Sequence, residues 1–329
     1  MDLMLNFGII GIEKESKIIK FNETILYDVI IIGGGAAGLT ASVYCMRKGL
    51  KTGIIGKNIG GQITSTKNIE NYMGYKNVEG IDLVEKFKEQ VKQFEISYID
   101  DKEVISLKNE GNINYIELDD GKVYRSKTVI IATGAKWRKL GVKGENELIG
   151  KGVAFCTTCD APLYKDKKVA IIGGGNSGLE AALDLIKIVE KLYLIEYDNK
   201  IKADEILVKK LGEYSNYEIL TGHQVIEIIG KDKVEKIVLE NRNNKEVDRL
   251  IVDGVFIEIG LEPNSEFLGN LLELDSNNRI KVDCSCKTSI ESIFAAGDVT
   301  TVPYNQIIIA ASEGAKAALS AYNYLTKSE

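Results

Sequence analysis

Cys156-Thr-Thr-Cys159 is the densest piece of chemistry in the sequence. Two thiols at this spacing can close a small disulfide ring, and one of such a pair commonly has a depressed pKa that makes it a nucleophile near neutral pH. Asp160 follows directly, and a carboxyl group whose pKa is raised by burial shuttles protons beside a thiol. Only one histidine is present, His223, so Ser–His or Cys–His catalysis and multi-His metal sites have almost nothing to work with. Asp160 is therefore the best acid–base candidate, while His223, in Thr221-Gly-His-Gln224, reads as a surface residue. Two other readings of the cysteine pair stand beside the redox one: half of a zinc site, or two inert thiols. Zinc would need Cys284 and Cys286, and a C-x-C is a poor second half. Cys45 reads as core, and Cys284 and Cys286 as structural positions alternating along a strand.

Two glycine clusters supply the second chemistry. Gly33, Gly35 and Gly38 follow the apolar run Asp28-Val-Ile-Ile-Ile32 and precede a helical stretch, Leu39 to Lys48. In strand–turn–helix context this G-x-G-x-x-G permits a tight turn, close approach to a pyrophosphate and close helix–sheet packing. The usual acid at the end of the next strand is missing, since Ile54-Ile55-Gly56-Lys57 stands there. The pattern recurs 140 residues later as Gly173, Gly175 and Gly178, with Asn176 and Ser177 between them. This copy has its acid: Glu196 lies 21 residues beyond Gly175, at the end of Leu192-Tyr-Leu-Ile-Glu196, where a carboxylate can accept from a ribose 2′-OH. No arginine follows it; Lys200 and Lys202 are the nearest cations in sequence. A 2′-phosphate beside Glu196 would meet like charge at a cost of about several kcal/mol. The expectation is a preference for NADH over NADPH of roughly tens-fold.

The elements that must position these residues follow from length and pattern. The chain has 329 residues, a net charge of −6, 44% hydrophobic and 27% charged residues. That is the balance of an ordinary globular protein, and two domains are the natural division. Net negative charge argues against nucleic-acid or anionic-membrane partners. Met1-Asp2 and the following residues read as no signal peptide, and the five cysteines are too few and too clustered for a secreted disulfide framework. Val29 to Met46 is uncharged, but its four glycines and its βα pattern fit a nucleotide turn better than a membrane span. A cytoplasmic enzyme is expected. The fold class is α/β with two Rossmann-like dinucleotide-binding domains from an internal duplication. Residues 1–26 form an N-terminal extension, 27–137 and 262–329 a discontinuous first domain, and 138–261 a second domain carrying the CxxC. The discontinuity is inferred from Ile293-Phe-Ala-Ala-Gly-Asp298, which belongs to neither repeat, and from the helical stretch Ile307 to Leu325.

Two dinucleotide units with a CxxC just ahead of the second resemble the low-molecular-weight thioredoxin reductases. The likeness runs from about Tyr27 to Leu325 through Gly60-Gly61-Gln62, Glu70-Asn71-Tyr72, Ala132-Thr133-Gly134, Cys156 to Asp160 and Ala296-Gly297-Asp298. Ala132 to Arg138, Lys202-Ala-Asp204 and Thr300 to Tyr304 through Glu313-Gly-Ala-Lys316 resemble more closely the C-terminal part of the flavoprotein component of bacterial alkyl hydroperoxide reductases. The resemblance implies the class II pyridine nucleotide-disulfide oxidoreductase fold and FAD on the first repeat. It places Gln62 and Asn71 at the flavin, Thr133 along the cofactor, Asp298 at the ribityl chain and Gln306 near the ring, with Gly61 and Gly297 also among the FAD-binding residues. The absence of an acid after the first repeat is normal in such a family. Homodimers are implied as well.

Two departures matter. NADPH-using thioredoxin reductases carry a His-Arg-Arg cluster where this chain has Glu196-Tyr197-Asp198. The peroxide-reductase relatives also carry an N-terminal pair of thioredoxin-like folds, for which residues 1–26 leave no room, so a separate thioredoxin- or glutaredoxin-like protein is expected as acceptor, itself able to feed a peroxiredoxin. The implied activity is hydride transfer from NADH to FAD and opening of the Cys156–Cys159 disulfide, with Cys159 facing the flavin and Cys156 attacking the partner. Nicotinamide site and CxxC belong to one domain and must serve one ring, which points to rotation of that domain between two states. A reductase of ferredoxin or peroxide with an incidental CxxC, a reductase fed by ferredoxin, and a non-catalytic nucleotide sensor remain as rivals. The intact Gly173–Gly178 cluster and Glu196 weigh against the ferredoxin-fed rival.

Overall fold

Strand β1 (Leu26–Ile32) ends in four β-branched residues, Val29 to Ile32, all of them buried, as expected of a parallel strand covered on both faces. It leads through the first glycine cluster into helix α1 (Ala36–Arg47), then β2 (Thr52–Gly56), α2 (Gly80–Val91), β3 (Ser97–Asp100), β4 (Val104–Glu110), β5 (Ile113–Leu118) and β6 (Val123–Ile131). The uncharged run from Val29 to Met46 is thus split between a strand and a helix, and among the described residues no helix is long and apolar enough to cross a membrane. Strand β6 changes character along its length. Its first half alternates in burial and pairs antiparallel with β5; its second half is continuously buried and lies parallel between β1 and the returning strand Ile293–Ala295. The parallel order is β3-β2-β1-β6-returning strand. The C-terminal helix Ile307–Lys327 lies against α1 so closely that a Cβ on Gly314 would stand 2.0 Å from Ala37 O.

The computed structural model describes residues 19–66 and 69–327; the expected N-terminal extension falls outside the described residues up to residue 18. From Ile19 onward the chain is docked: Ile19 bridges to Ser97, and the Phe21 ring packs 5.0 Å from Tyr27 and 4.8 Å from Tyr124. Two compact units result. The first takes the described residues up to Ile63, Asp82–Gly134 and those from Asn264 on; the second takes Thr64–Ile81 and Ala135–Pro263. Residues 64–81, which the sequence pattern assigns to the first domain, group instead with the second. They form an excursion closed on itself by the Ile69–Val78 bridge.

The second unit opens with β7 (Ala135–Trp137), α3 (Glu145–Leu148), β8 (Val153–Ala154) and the one-turn helix α4 (Thr157–Asp160). Then come β9 (Lys168–Ile172), α5 (Asn176–Leu185), β10 (Lys191–Glu196), α6 (Glu205–Leu211) and β11 (Tyr217–Thr221). Strands β12 (His223–Gly230), β13 (Val234–Asn241) and β14 (Val247–Ile251) form an antiparallel meander. After β14 the strand breaks at Val252-Asp253, and β15 (Gly254–Ile257) leaves the meander to join the parallel sheet, order β11-β10-β9-β15-β8. β16 (Leu261–Pro263) pairs antiparallel with β7. One apolar layer, around Leu179, Leu185 and Phe256, lies under α5 and α6; another, around Ile237, Val252 and Val255, lies under the meander.

Candidate active site

All parallel strands of the second unit point the same way, so their carboxyl ends share one edge. That is where ligands bind in open α/β sheets. Glu196 ends β10, Gly173 follows β9, Glu258 follows β15, and Phe155-Cys156 follow β8. At about 4.8 Å per strand the edge from Glu196 to Cys156 spans roughly 14 Å.

The glycines are required for different reasons. Gly173 has φ +120°, and a Cβ there would lie 2.4 Å from Glu258 O; one on Gly178 would lie 1.8 Å from Gly173 O. Both keep turn, strand and helix in contact. A Cβ on Gly175 meets no protein atom within 4 Å, so nothing in the protein itself demands glycine there. The open space lies at the start of α5, where unpaired N–H groups favour an anion, and it fits a pyrophosphate. Glu196 is buried rather than a solvated strand end. Its Oε2 accepts from Gly174 N–H at 2.6 Å and its Oε1 from Asp198 N–H at 2.8 Å, with lone pairs to spare for ribose hydroxyls. Asn176 exchanges hydrogen bonds with Asp204, and Ser177 is an exposed residue of the first turn of α5. Sequence reasoning misses Glu258; burial, and then Glu180, push its carboxyl up to about 8. Its only sequence signal is an acid directly after the apolar run Val255–Ile257.

Cys156 and Cys159 are joined in a disulfide, with Cα atoms 5.4 Å apart. Cys156 caps α4, and its Sγ accepts from Cys159 N–H at 3.3 Å. Cys159 is exposed and Cys156 half-buried. The Phe155 ring stacks on Trp137 at 5.9 Å, which holds the start of the turn. Burial pushes the Asp160 carboxyl up to about 6. Burial, with Asp160 and Asp253, pushes the Tyr164 phenol up to about 12.

In the first unit the same logic holds. Gly33 has φ +111°, and its Cβ would lie 2.2 Å from Ala132 O; a Gly38 Cβ would lie 1.9 Å from Gly33 O, and a Gly35 Cβ would meet nothing within 4 Å. This second open cradle fits the diphosphate of FAD. Gly61, φ +55°, stands over it, its Cβ position 3.4 Å from Gly35 Cα, and Gly60 N–H donates to Gly34 O. Gly297, φ +78°, sits beside Ala37 at the start of α1, and its N–H donates to Glu313 Oε2 at 2.9 Å. Burial pushes Asp298 up to about 6, against a hydrogen bond from Asn305. Glu313 is 2% exposed and its Oε1 has no partner; in the sequence it carries no signal beyond its place in the Glu313-to-Lys316 likeness. Thr133 Oγ1 donates to Asn264 O at 2.7 Å, and Asn264 Nδ2 returns a bond to Thr133 O. Gln62 lies in the 3₁₀ turn Gly61–Ser65, and Gln306 directly precedes the C-terminal helix. Asn71 lies in the excursion that groups with the second unit. Lys57 stands where the acid is missing and pairs with Glu103 at 2.6 Å.

The other cysteines are apart from this chemistry. Cys45 is buried and its thiol pushed up to about 12. Cys284 and Cys286 are not on a strand: Asp283 accepts the N–H groups of Ser285 and Lys287, and Cys286 takes φ +63° in the turn so closed. His223 sits at the start of β12, its Nδ1 2.8 Å from Thr221 O.

Residues 27–314 match the model of the pyridine nucleotide-disulphide oxidoreductases. The chain is 44% identical over 305 residues to the F subunit of the Pseudomonas aeruginosa alkyl hydroperoxide reductase, covering 92% of this chain and 58% of that protein. The Escherichia coli protein of the same description is 42% identical over 323 residues, covering 97% and 62%. The chain therefore spans about three-fifths of the length of these relatives. Among solved structures, thioredoxin reductase from Streptococcus pyogenes superposes with a TM-score of 0.87 at 36% identity, covering 92% of this chain and 99% of that one.

Proposed function

Because this chain belongs to the pyridine nucleotide-disulphide oxidoreductase family, we propose that it is a flavoprotein disulfide reductase passing electrons from NADH to a thioredoxin- or glutaredoxin-like fold. One observation carries the reading: the Cys156–Cys159 disulfide, with Asp160 beside it, follows a strand of the same sheet in which the second and third strands over end at the open Gly175 cradle and at Glu196. FAD held over Gly35 supplies the two-electron carrier between the nicotinamide and that disulfide.

Once the pair is reduced, the N–H of Cys159 aimed at Cys156 Sγ favours the thiolate on Cys156, since hydrogen bonds to a charged form stabilise it. Cys156 then attacks the partner's disulfide and Cys159 resolves the mixed disulfide. The chain's pair is oxidised and the partner leaves as a dithiol. Asp160, pushed up to about 6, keeps a minor protonated fraction near neutral pH, and that form delivers a proton to the departing sulfur. Glu196, already acting as acceptor to two backbone N–H groups, receives the 2′-OH of NADH and repels the 2′-phosphate of NADPH. The pyrophosphate lies against Gly173, Gly175, Asn176, Ser177 and Gly178. Gly33, Gly35, Gly38, Gly61, Gln62, Thr133, Gly297, Asp298 and Gln306 would hold FAD, and the family likeness would add Asn71. A peroxiredoxin downstream of the acceptor, a cytoplasmic location and a homodimeric state complete the proposal.

Anaerobic titration tests it. The purified protein should be yellow, bleach with one equivalent or more of NADH at lower concentration than with NADPH, and recover its colour on adding an oxidised thioredoxin-like protein. A colourless protein, or one bleached by neither coenzyme, would overturn the reading.

A further inference from the structure

The loop after Glu196 is gripped from a part of the chain far away in sequence. Gly222 N–H donates to Asp198 O at 2.8 Å, Arg242 N–H donates to Gly222 O at 2.8 Å, and Asn243 Nδ2 donates to Asn199 Oδ1 at 3.1 Å. Gly222, with φ +67°, permits this closeness, because a Cβ there would stand 2.6 Å from Asn199 Oδ1 and 2.9 Å from Asn243 Nδ2. The turn between β13 and β14 thereby delivers Arg242 onto Tyr197. Its guanidinium carbon lies 3.6 Å from the ring centroid, and its Nη1 donates to Tyr197 O at 2.9 Å. One face of the ring is covered by a cation whose position is tied to the backbone of the same residue. Tyr197 nonetheless remains 52% exposed.

Glu196 marks where an adenosine ribose must be held. The ribose carbon bearing the 2′-OH is bonded to the carbon bearing the base, so the base lies within one sugar ring of residue 197. Bases stack on aromatic faces, and a cation behind the ring adds to the attraction. We infer that Tyr197 is the stacking wall for the adenine of the coenzyme and that Arg242 is the residue that positions it. This rests on the reading that the second cradle takes a pyridine nucleotide. A 2′-phosphate beside Tyr197 would meet the buried carboxylate of Glu196, while Arg242 has one of its N–H donors turned to Tyr197 O. Lys202, another cation close in sequence, is paired with Asp198.

The test uses the full FAD-loaded chain and two halves of the coenzyme. ADP-ribose lacks the nicotinamide, and reduced nicotinamide mononucleotide lacks the adenosine. In Arg242→Met and Tyr197→Ala the Kd of ADP-ribose and the KM for NADH should rise about tenfold, as expected for losing one stacked base. kcat with NADH should hold, and kcat/KM with the mononucleotide should stay within about twofold of the parent, because nothing in that substrate reaches residue 197. Tyr197→Phe, which keeps the ring, should behave as the parent. Equal losses with the mononucleotide, a loss confined to NADPH, or unchanged ADP-ribose binding would each overturn the inference. The two readings fail separately. If ADP-ribose binds and weakens as stated while NADH leaves the flavin oxidised, the function falls and the platform stands. If NADH bleaches the flavin and Arg242→Met leaves its KM unchanged, only the platform falls.

Discussion

The two glycine cradles are built on the same five-strand parallel arrangement, yet its fifth strand is supplied in opposite ways. In the first unit it is Ile293–Ala295, which arrives after all the other strands of the sheet and places Gly297 and Asp298. In the second unit it is β8, which comes before the others and places Cys156. Equivalent strand ends thus carry a half-buried carboxyl in one unit and a disulfide in the other. The helices after the glycines differ too. In α1, eight of twelve residues are buried, with the C-terminal helix laid against it; the ten-residue α5 buries five. Both cradles are open at their middle glycine, so the units differ in how firmly the helix behind the cradle is packed. The carboxylate at Glu196 has no counterpart at the equivalent position beside Lys57, and on the proposed function it would make the second cradle the one that selects its nucleotide.

The sharpest way to break this contrast is at the fifth strand of the second unit. Cys156→Ser or Cys159→Ser should lower NADH-dependent disulfide reduction by at least about a thousandfold, as removal of a nucleophile does, while reduction of an artificial dye acceptor persists. Loss of both activities together would mean that the disulfide is not a separate station.

Placing the same charge in both cradles comes next. Gly35 and Gly175 have φ −77° and −86° and open space at Cβ, so an aspartate strains neither backbone. Gly35→Asp should yield a colourless protein with retained circular dichroism. Gly175→Asp should stay yellow, with KM for NADH raised about a hundredfold or more by repulsion of the pyrophosphate. Identical losses in the two variants would erase the division of labour.

Asp160→Asn should slow reduction of the partner disulfide by about a hundredfold, a typical general-acid effect. The pH dependence has a definite sign. Asp160 must be protonated to donate, so the parent's rate for this step should fall as pH rises through about 6, and the variant should lack that slope. Stopped-flow traces between pH 5 and 8 decide it. At Glu196→Gln the expected change is about tenfold in the ratio of kcat/KM for NADH to that for NADPH, toward NADPH. The smallest effect distinguishes the helices: Gly314→Ala drives a methyl toward Ala37 O and should cost about 1–3 kcal/mol of overpacking. Calorimetry would read that as several degrees in Tm, with the coenzyme KM unmoved.

The amino-acid sequence by itself determined both cradles, the disulfide pair and the acid at Glu196, because each is a local device in which spacing of a few residues sets the geometry. It also carried the discontinuity of the first unit, through a strand-like run that neither repeat could use. What the tertiary structure decided was every relation between distant segments. Arg242 on Tyr197, Glu258 beside Gly173, the unpartnered oxygen of Glu313 and the mirrored fifth strands join residues from separate loops and strands, and no local periodicity encodes such pairs. The strand expected at Cys284–Cys286 failed for the opposite reason: apolar–polar alternation suggested extension, but Asp283 captured two backbone N–H groups and turned the chain. Burial, which lifts Asp160 and Asp298 toward neutrality, is likewise a property of the packed chain, since desolvation exists only once the surrounding atoms have replaced water.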